Sequence, residues 1–422
     1  MLRYLLLVLA AAPALATPNV LLLSVDTLRA DHLSCYGHEY ETSPAIDALA
    51  AEGLLFEDAV CEVPLTSPSM GSMLSGRFPR NNGTTRNGLR MPDEVPLVQE
   101  EFQKAGYETF CVQSNWTLKG KLSGLDRGFD LYRDDFHEKR WGIVKPERLA
   151  DDVTDQALEW LENRAPEKPF FAWIHYTDPH APYEMHKDFN ASGKKAWFRS
   201  DHERVSIKYD TEIRYTDHHI ARFLEKVPED TVILFVGDHG ESLYEHDYLG
   251  HGRRIYQMGM HIPLIIKAPG VAAGRTGKPV RGIDVGPTLL GLAGLPKPPS
   301  MKGLDLLNDT LPEDRDRVIE TYGGAVLNMP GVKDLMAGAE PILQGVISGE
   351  WKAIFDGGQA ELYHLAEDPM EEQDLAAQRM DIVDELRAKL EAWDAGEERA
   401  EQSGEALTED DLEALRSLGY ID

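Results

Sequence analysis

The sequence predicts an α/β fold: a mostly parallel central sheet with helices on both faces, then a smaller C-terminal subdomain with a short antiparallel sheet. Three observations predict it. Apolar runs of four to seven residues recur without polar alternation, as strands buried on both faces do. Amphipathic helical patterns lie between them, and strands alternating with helices build parallel sheets. The runs end abruptly in Asp, His or Asn, and such sheets carry their ligands at the carboxyl ends of the strands.

Taken in order, residues 1–16 read as an export signal. Arg3 is a short positive region, Leu5 to Ala12 an apolar core too short to span a bilayer, and Ala14-Leu15-Ala16 a small-x-small cleavage site. The mature protein is expected to begin at Thr17 and to work in the periplasm or outside the cell. Residues 17–299 read as the catalytic domain. Its first run, Asn19 to Val25, ends in Asp26. Ser43 to Gly53 is helical, with Ile46, Leu49 and Ala50 on one face, and Val95 to Ala105 reads similarly. Thr109 to Val112 runs into Gln113-Ser114-Asn115. Ala150 to Arg164 is a helix with Val153, Ala157, Leu158 and Leu161 on its apolar face. Pro169 to Tyr176 leads to Asp178-Pro179-His180, and Thr231 to Val236 to Gly237-Asp238-His239-Gly240. Pro296-Lys297-Pro298-Pro299 breaks the pattern, and residues 300–395 form the smaller subdomain. There, Trp351 to Phe355 and Glu361 to Leu365 flank Asp356-Gly357-Gly358 as a hairpin, and Asp381 to Trp393 is an amphipathic helix. Residues 396–410 read as an acidic, mobile linker and 411–418 as a last helix.

Composition excludes several functions. The 422 residues carry 43 Lys+Arg against 72 Asp+Glu, a net charge of −29. Such a surface repels nucleic acid, so no nucleic-acid partner is expected. Three cysteines, Cys35, Cys61 and Cys111, cannot form a disulfide framework, and one pair at most can form. Beyond the leader, no stretch approaches 18 apolar residues, so no stable membrane span is expected after cleavage.

Ten of the 14 histidines fall between His175 and His261, and histidine with aspartate at strand ends marks a metal site. Asp238 and His239 sit on one glycine-flanked turn, and Asp26 supplies a second carboxylate from another strand end. Together they suit a divalent cation with positions left open. In Thr66-Ser67-Pro68-Ser69-Met70, Ser67 fits an N-cap, Pro68 a first helical position, and Gly76 the residue past the last turn. A hydroxyl at this positive helix end, also bound to a cation, would be a nucleophile at neutral pH.

The order of Asp26, the Thr66–Gly76 segment, Asp178-Pro179-His180, Asp238-His239-Gly240 and Gly250-His251-Gly252 resembles the sulfatase branch of the alkaline phosphatase superfamily. The resemblance extends to Gly124-Leu125-Asp126-Arg127-Gly128, to Tyr256–Gly270, and to Glu361-Leu362-Tyr363-His364-Leu365. It implies an alkaline-phosphatase-like fold and an ester hydrolase acting through a metal-bound nucleophile. Sulfatases proper carry Cys- or Ser-x-Pro-Ser-Arg, whose first residue is oxidised to formylglycine. This chain has Thr66 at that position and Met70 in place of the Arg, and Cys61 lacks the Pro two residues on. A threonine nucleophile resembles the phosphodiesterase and phosphoglycerol-transferase members.

The resemblance further implies Asn87 as a contact to a non-bridging oxygen, His180 as the acid for the leaving group, and His251 as an ester-orienting residue. Asn115 falls near a lysine that binds substrate in sulfatases. Asp178, His180 and His251 are candidates for a second metal site. His218-His219 read as an exposed helix face and His246 as a rim residue. The expected cofactor is a divalent cation, Mn, Zn, Ca or Mg, with one ion bound and a second possible. The expected substrate is a small-molecule, glycan or lipid-head-group ester. The first expectation is thus hydrolysis of a phosphate mono- or diester, or phosphonate monoester, at Thr66. A sulfatase working without formylglycine is the alternative, and an inactive binding protein of the same fold a second one.

Overall fold

The computed structural model describes residues 17–135, 138–140, 143–145, 148–195, 199–323 and 340–400. The expected leader (1–16) and last helix (411–418) lie outside them. Eight strands form the main sheet: β1 (Val20–Val25), β2 (Leu54–Phe56), β3 (Glu108–Gln113), β4 (Leu131–Arg133), β5 (Phe170–Tyr176), β6 (Val232–Gly237), β7 (Leu264–Lys267) and β8 (Gly274–Thr276). Their spatial order is β8-β2-β7-β6-β1-β5-β3-β4. Every pairing is parallel except the two made by β7, which runs against β6 and β2.

The apolar runs resolve into two buried faces. Val20 and Leu22 of β1 point into one core, while Leu21, Leu23 and Val25 point into the other. Phe171 and Trp173 of β5 divide likewise from Phe170, Ala172, Ile174 and Tyr176. A period of two applied to a run that is apolar throughout gives two greasy faces, each of which a helical layer must cover. The second face is covered by α1 (Pro44–Glu52), α4 (Ala150–Asn163) and α5 (Asp201–Leu224), through Ile46, Leu49, Val153, Trp160, Ile213 and Phe223. The first is covered by α2 (Thr66–Ser75), α3 (Val98–Lys104) and α6 (Val285–Leu292), through Met70, Met73, Phe102 and Leu289.

The C-terminal strands β9 (Arg317–Thr321), β10 (Leu343–Ser348), β11 (Trp351–Asp356) and β12 (Gln359–His364) form an antiparallel sheet in sequence order. Asp356 pairs with Gln359 across Gly357, whose φ of 58° suits glycine, so the expected hairpin is present. Helix α7 (Met380–Gly396) covers one face through Val383, Leu386 and Leu390. Ile319, Ile347 and Ile354 on the other face join the core beneath the main sheet.

Three local expectations are corrected. Helix α2 starts at Thr66 with Leu65 as its N-cap, not at Pro68 with Ser67 as the cap, because the Asn87 side chain takes the Ser67 N–H at 3.1 Å. The first residues of the acidic tail are tied down: Ala400 N donates to Arg80 O at 2.8 Å, and Lys302 pairs with Glu397. Of the histidine pair on α5, His218 is exposed but His219 is buried, because α5 packs this side of its face against α4. The three cysteines are free.

His219 makes a testable contribution to stability. Burial, aided by the charges of Arg222 and His218, lowers its pKa from 6.5 to about 4. Its Nδ1 accepts from Arg222 at 2.8 Å, which requires the neutral ring. The unfolded chain therefore binds the extra proton below about pH 6.5, so stability is full above that value and falls as pH drops toward 4. Urea unfolding at neutral pH and at about pH 5 should show an acid loss about 1–2 kcal/mol larger in the wild type than in His219→Gln. Equal losses would show that the ring is already protonated in the fold.

Candidate active site

Strand register builds the site. Val25 pairs with Tyr176 on β5 and with Gly237 on β6, so the next residues, Asp26, Thr177 and Asp238, leave the sheet side by side. Asp26 N donates to Tyr176 O at 2.8 Å, which extends the ladder by one step and holds the Asp26 backbone. The chain must then turn sharply. Thr27 takes a left-handed φ of 52°, uncommon for a β-branched residue, with a strain of ~1–3 kcal/mol. Its N–H donates to Asp238 Oδ1 at 3.0 Å, and its carbonyl accepts from the Tyr209 hydroxyl. The site thus holds the strained residue in place from both sides.

Asp26, Asp238 and His239 are fully buried, and one ligand atom from each lies within 4.8 Å of the others. Asp238 Oδ1 also accepts from His239 N at 2.7 Å, while Oδ2 has no hydrogen-bond partner among the described residues. His239 Nδ1 donates to Gly240 O at 2.9 Å, which leaves the Nε2 lone pair facing the two carboxylates. Gly240 is needed for this turn: a Cβ there would lie 1.9 Å from the Met258 carbonyl oxygen. Burial pushes His239 down to about 3, aided by the charge of His251, so its imidazole is neutral. Burial works against ionisation of Asp26, but the His175 hydrogen bond, with the imidazoles of His180 and His239 close by, outweighs it and holds the carboxyl well below its usual range. Burial and the charge of Asp26 push Asp238 well above that range. Two facing carboxylates, an orphaned oxygen and a neutral imidazole lone pair in a dry setting fit a divalent cation.

Thr66 Oγ1 joins this group, 3.4 Å from Asp26 Oδ1 and 3.3 Å from His239 Nε2. It lies in the first turn of α2, all of whose residues are buried. Asn87 Oδ1 holds Ser67 N, and its Nδ2 has no partner among the described residues.

Asn115 lies beside Asp26. Its Nδ2 donates to Asp26 Oδ2, and its Oδ1 accepts from Thr117 N at 2.7 Å, so it orients a carboxylate. The other histidines separate into two neighbourhoods. His251 lies beside His239, with ring centroids 4.7 Å apart, and beside His180 at 5.1 Å. Asp178 does not join them as a third ligand: its Oδ1 accepts from Ala150 N at 3.1 Å, at the start of α4. Burial, then the charge of Glu212, pushes it up to about 8. A short carboxylate so close to a helix start is drawn to that helix's open N–H groups. His246 bonds Met370 O at 2.9 Å and stacks on Tyr256.

Two contributors were not anticipated. Glu241 is buried beneath His251, with Oε1 3.1 Å from Nδ1, and burial raises it to about 7. His175 lies 3.8 Å from Asp26 Oδ2 and bonds Ser24 at 2.8 Å. Glu241 follows the Asp238-His239-Gly240 turn directly, a signal that could have drawn attention to it. His175 was hidden inside an apolar run.

The sulfatase family model matches residues 18–295, and a model described as N-sulphoglucosamine sulphohydrolase, C-terminal, matches 244–395. The chain is 27% identical over 390 residues to an arylsulfatase of Clostridium perfringens, covering 72% of this chain and 80% of that protein. It is 30% identical over 380 residues to the N-acetylgalactosamine-6-sulfatase of Homo sapiens, covering 75% of this chain and 70% of that protein. Among solved structures, it resembles in fold the phosphonate monoester hydrolase of Agrobacterium radiobacter, with a TM-score of 0.75, 20% identity, and coverage of 90% of this chain and 96% of that one.

Proposed function

The chain belongs to the sulfatase family and is an ester hydrolase, and from that premise we propose that it cleaves a sulfate ester of a sugar or glycan at Thr66, without formylglycine. The relatives reverse the order of the sequence-based expectations, which placed phosphorus esters first. The observation that carries the reading is Thr66 Oγ1, within 3.4 Å of both Asp26 and His239 at the buried start of α2. Asp26, Asp238, His239 and Thr66 would hold a divalent cation. When bound, it acidifies the Thr66 hydroxyl and offsets charge on the ester.

Thr66 Oγ1 forms the new bond to sulfur as the bond from sulfur to the sugar oxygen breaks. The Asn87 Nδ2 donates to a non-bridging oxygen. His180, whose Nδ1–H is committed to Ala181 O at 2.7 Å, presents the Nε2 lone pair, takes up there the proton that the Thr66 hydroxyl gives up, and passes it to the departing oxygen. His251, oriented by Glu241, positions the ester. Water then cleaves the threonine ester and releases sulfate. The reading includes export of the chain after loss of residues 1–16.

A second reading, a phosphate or phosphonate ester, is favoured by Met70 and Asn115, which leave the sulfatase Arg and Lys positions without positive charge. A panel of p-nitrophenyl sulfate, p-nitrophenyl phosphate, bis-p-nitrophenyl phosphate and p-nitrophenyl phenylphosphonate, with added Mn, Zn, Ca or Mg, decides between them. The sulfate should give the largest kcat/KM. A larger value for the diester or phosphonate would replace the first reading with the second, and no turnover of any ester would sink both.

A further inference from the structure

We propose that His32, His38 and Asp210 form a binding site for a transition-metal dication such as zinc, separate from the Thr66 site. One ligand atom from each lies within 4.8 Å of the other two. His32 and His38 come from the turns that follow β1, and Asp210 from α5. The imidazole rings stack with centroids 5.0 Å apart, and both face the one carboxylate. His32 Nδ1 lies 2.7 Å from Asp210 Oδ1, and His38 Nε2 lies 3.5 Å from Oδ2.

The tautomer of His38 leaves a place for a cation. Its Nδ1 faces the Asp31 carbonyl oxygen at 3.2 Å, and a carbonyl can only accept, so Nδ1 carries the proton. In the neutral ring, Nε2 then presents a lone pair to a carboxylate oxygen. That atom is buried and has no hydrogen-bond partner among the described residues. Two lone pairs facing each other at this distance repel unless a cation or a second proton lies between them. Two imidazole nitrogens and a carboxylate, each of whose oxygens faces one of the rings, are a zinc donor set, with a position left for water. The backbone bond at Nδ1 is the outer-sphere partner that metal-binding histidines use. Zinc bonds of ~2.0–2.1 Å place donors roughly 3.3 Å apart. The His38–Asp210 gap already fits this, and the His32–Asp210 pair would open by a few tenths of an ångström. His38 is 13% exposed, which leaves a way in for the ion.

The ion would act as a clamp. Tyr209, next to Asp210, donates to Thr27 O and accepts from Arg29 N at 2.9 Å, so this part of α5 already grips the strained turn after Asp26. A metal joining Asp210 to His32 and His38 would fasten the remainder of that loop to the same helix.

The test uses the metal-stripped full chain, equilibrium dialysis against zinc alone, and elemental analysis of what is retained. Asp238→Asn weakens the Thr66 site, so this variant should keep about one equivalent, and the double variant Asp238→Asn/His38→Ala should keep none. Asp238→Asn/Asp210→Asn should behave like that double variant, which guards against a folding defect peculiar to one substitution. Cobalt added to Asp238→Asn should give visible bands of a nitrogen-ligated site that vanish in both double variants. No zinc retained by Asp238→Asn, or equal retention with and without His38, would overturn the proposal. The readout is independent of turnover, so it stands or falls separately from the ester-hydrolase reading.

Discussion

Thr66→Ala should lower kcat/KM for the preferred ester by at least ~10³-fold, while Thr66→Ser should retain most of it. Alanine removes the oxygen proposed to form the covalent ester and leaves binding and electrostatic effects, which account for the residual rate. The fold should survive. Among the described residues, Thr66 Oγ1 makes only long contacts, at 3.4 Å and 3.3 Å, and Asn87 holds the start of α2 through the backbone of Ser67. Thr66→Cys should turn over the aryl sulfate no faster than the wild type, because Met70 and Asn115 supply none of the positive charge that an oxidised cysteine at this position would work with. Steady-state kinetics on the three variants, with circular dichroism as the folding control, check this. Full activity in Thr66→Ala would move the nucleophile to another hydroxyl of the same helix turn, Ser67 or Ser69.

Asp238→Asn should weaken cation binding by at least ~10²-fold and abolish turnover at ordinary metal concentrations, while making the metal-free protein more stable. The two effects have one cause. Asp26 and Asp238 are fully buried and face each other, so their repulsion burdens the empty site and a cation relieves it. Asparagine keeps the oxygen that accepts from Thr27 N at 3.0 Å and from His239 N at 2.7 Å, so the turn should be preserved. Melting curves with and without chelator should therefore cross. Wild type should be the more stable with metal and Asp238→Asn the more stable without it. A variant less stable than wild type under both conditions would show that Asp238 is structural and not a ligand.

The individual residues show which parts of the architecture were legible. The runs ending at Val25, Tyr176 and Val236 were readable, to within a residue at each start, because strands buried on both faces need apolar side chains at nearly every position. The hairpin around Gly357 and the helix ending near Trp393 were readable because turn chemistry and helical periodicity are local. The start of α2 was misread because its N–H is capped by Asn87, twenty residues away, and local capping rules do not see such a partner. The partners of Asn115 and Asp178, the Asp26 carboxylate and the Ala150 N–H at the start of α4, were not legible. Each side chain has several groups within reach, and only the packed backbone selects among them.

The sequence by itself determined the layered α/β fold and the residue types brought to the carboxyl edge of the sheet, because burial pattern and residue order are properties of the chain. Only the tertiary structure decided which polar atoms face one another. The β1 register brings Asp26 level with Asp238, and the strained Thr27 turns its N–H to that carboxylate. His239 spends one nitrogen on Gly240 and keeps the other for the site. Glu241 closes beneath His251, and His32 and His38 meet Asp210 across more than 170 residues. Hydrogen bonds and coordination depend on tenths of an ångström and on direction, and those are settled only when distant segments pack against one another.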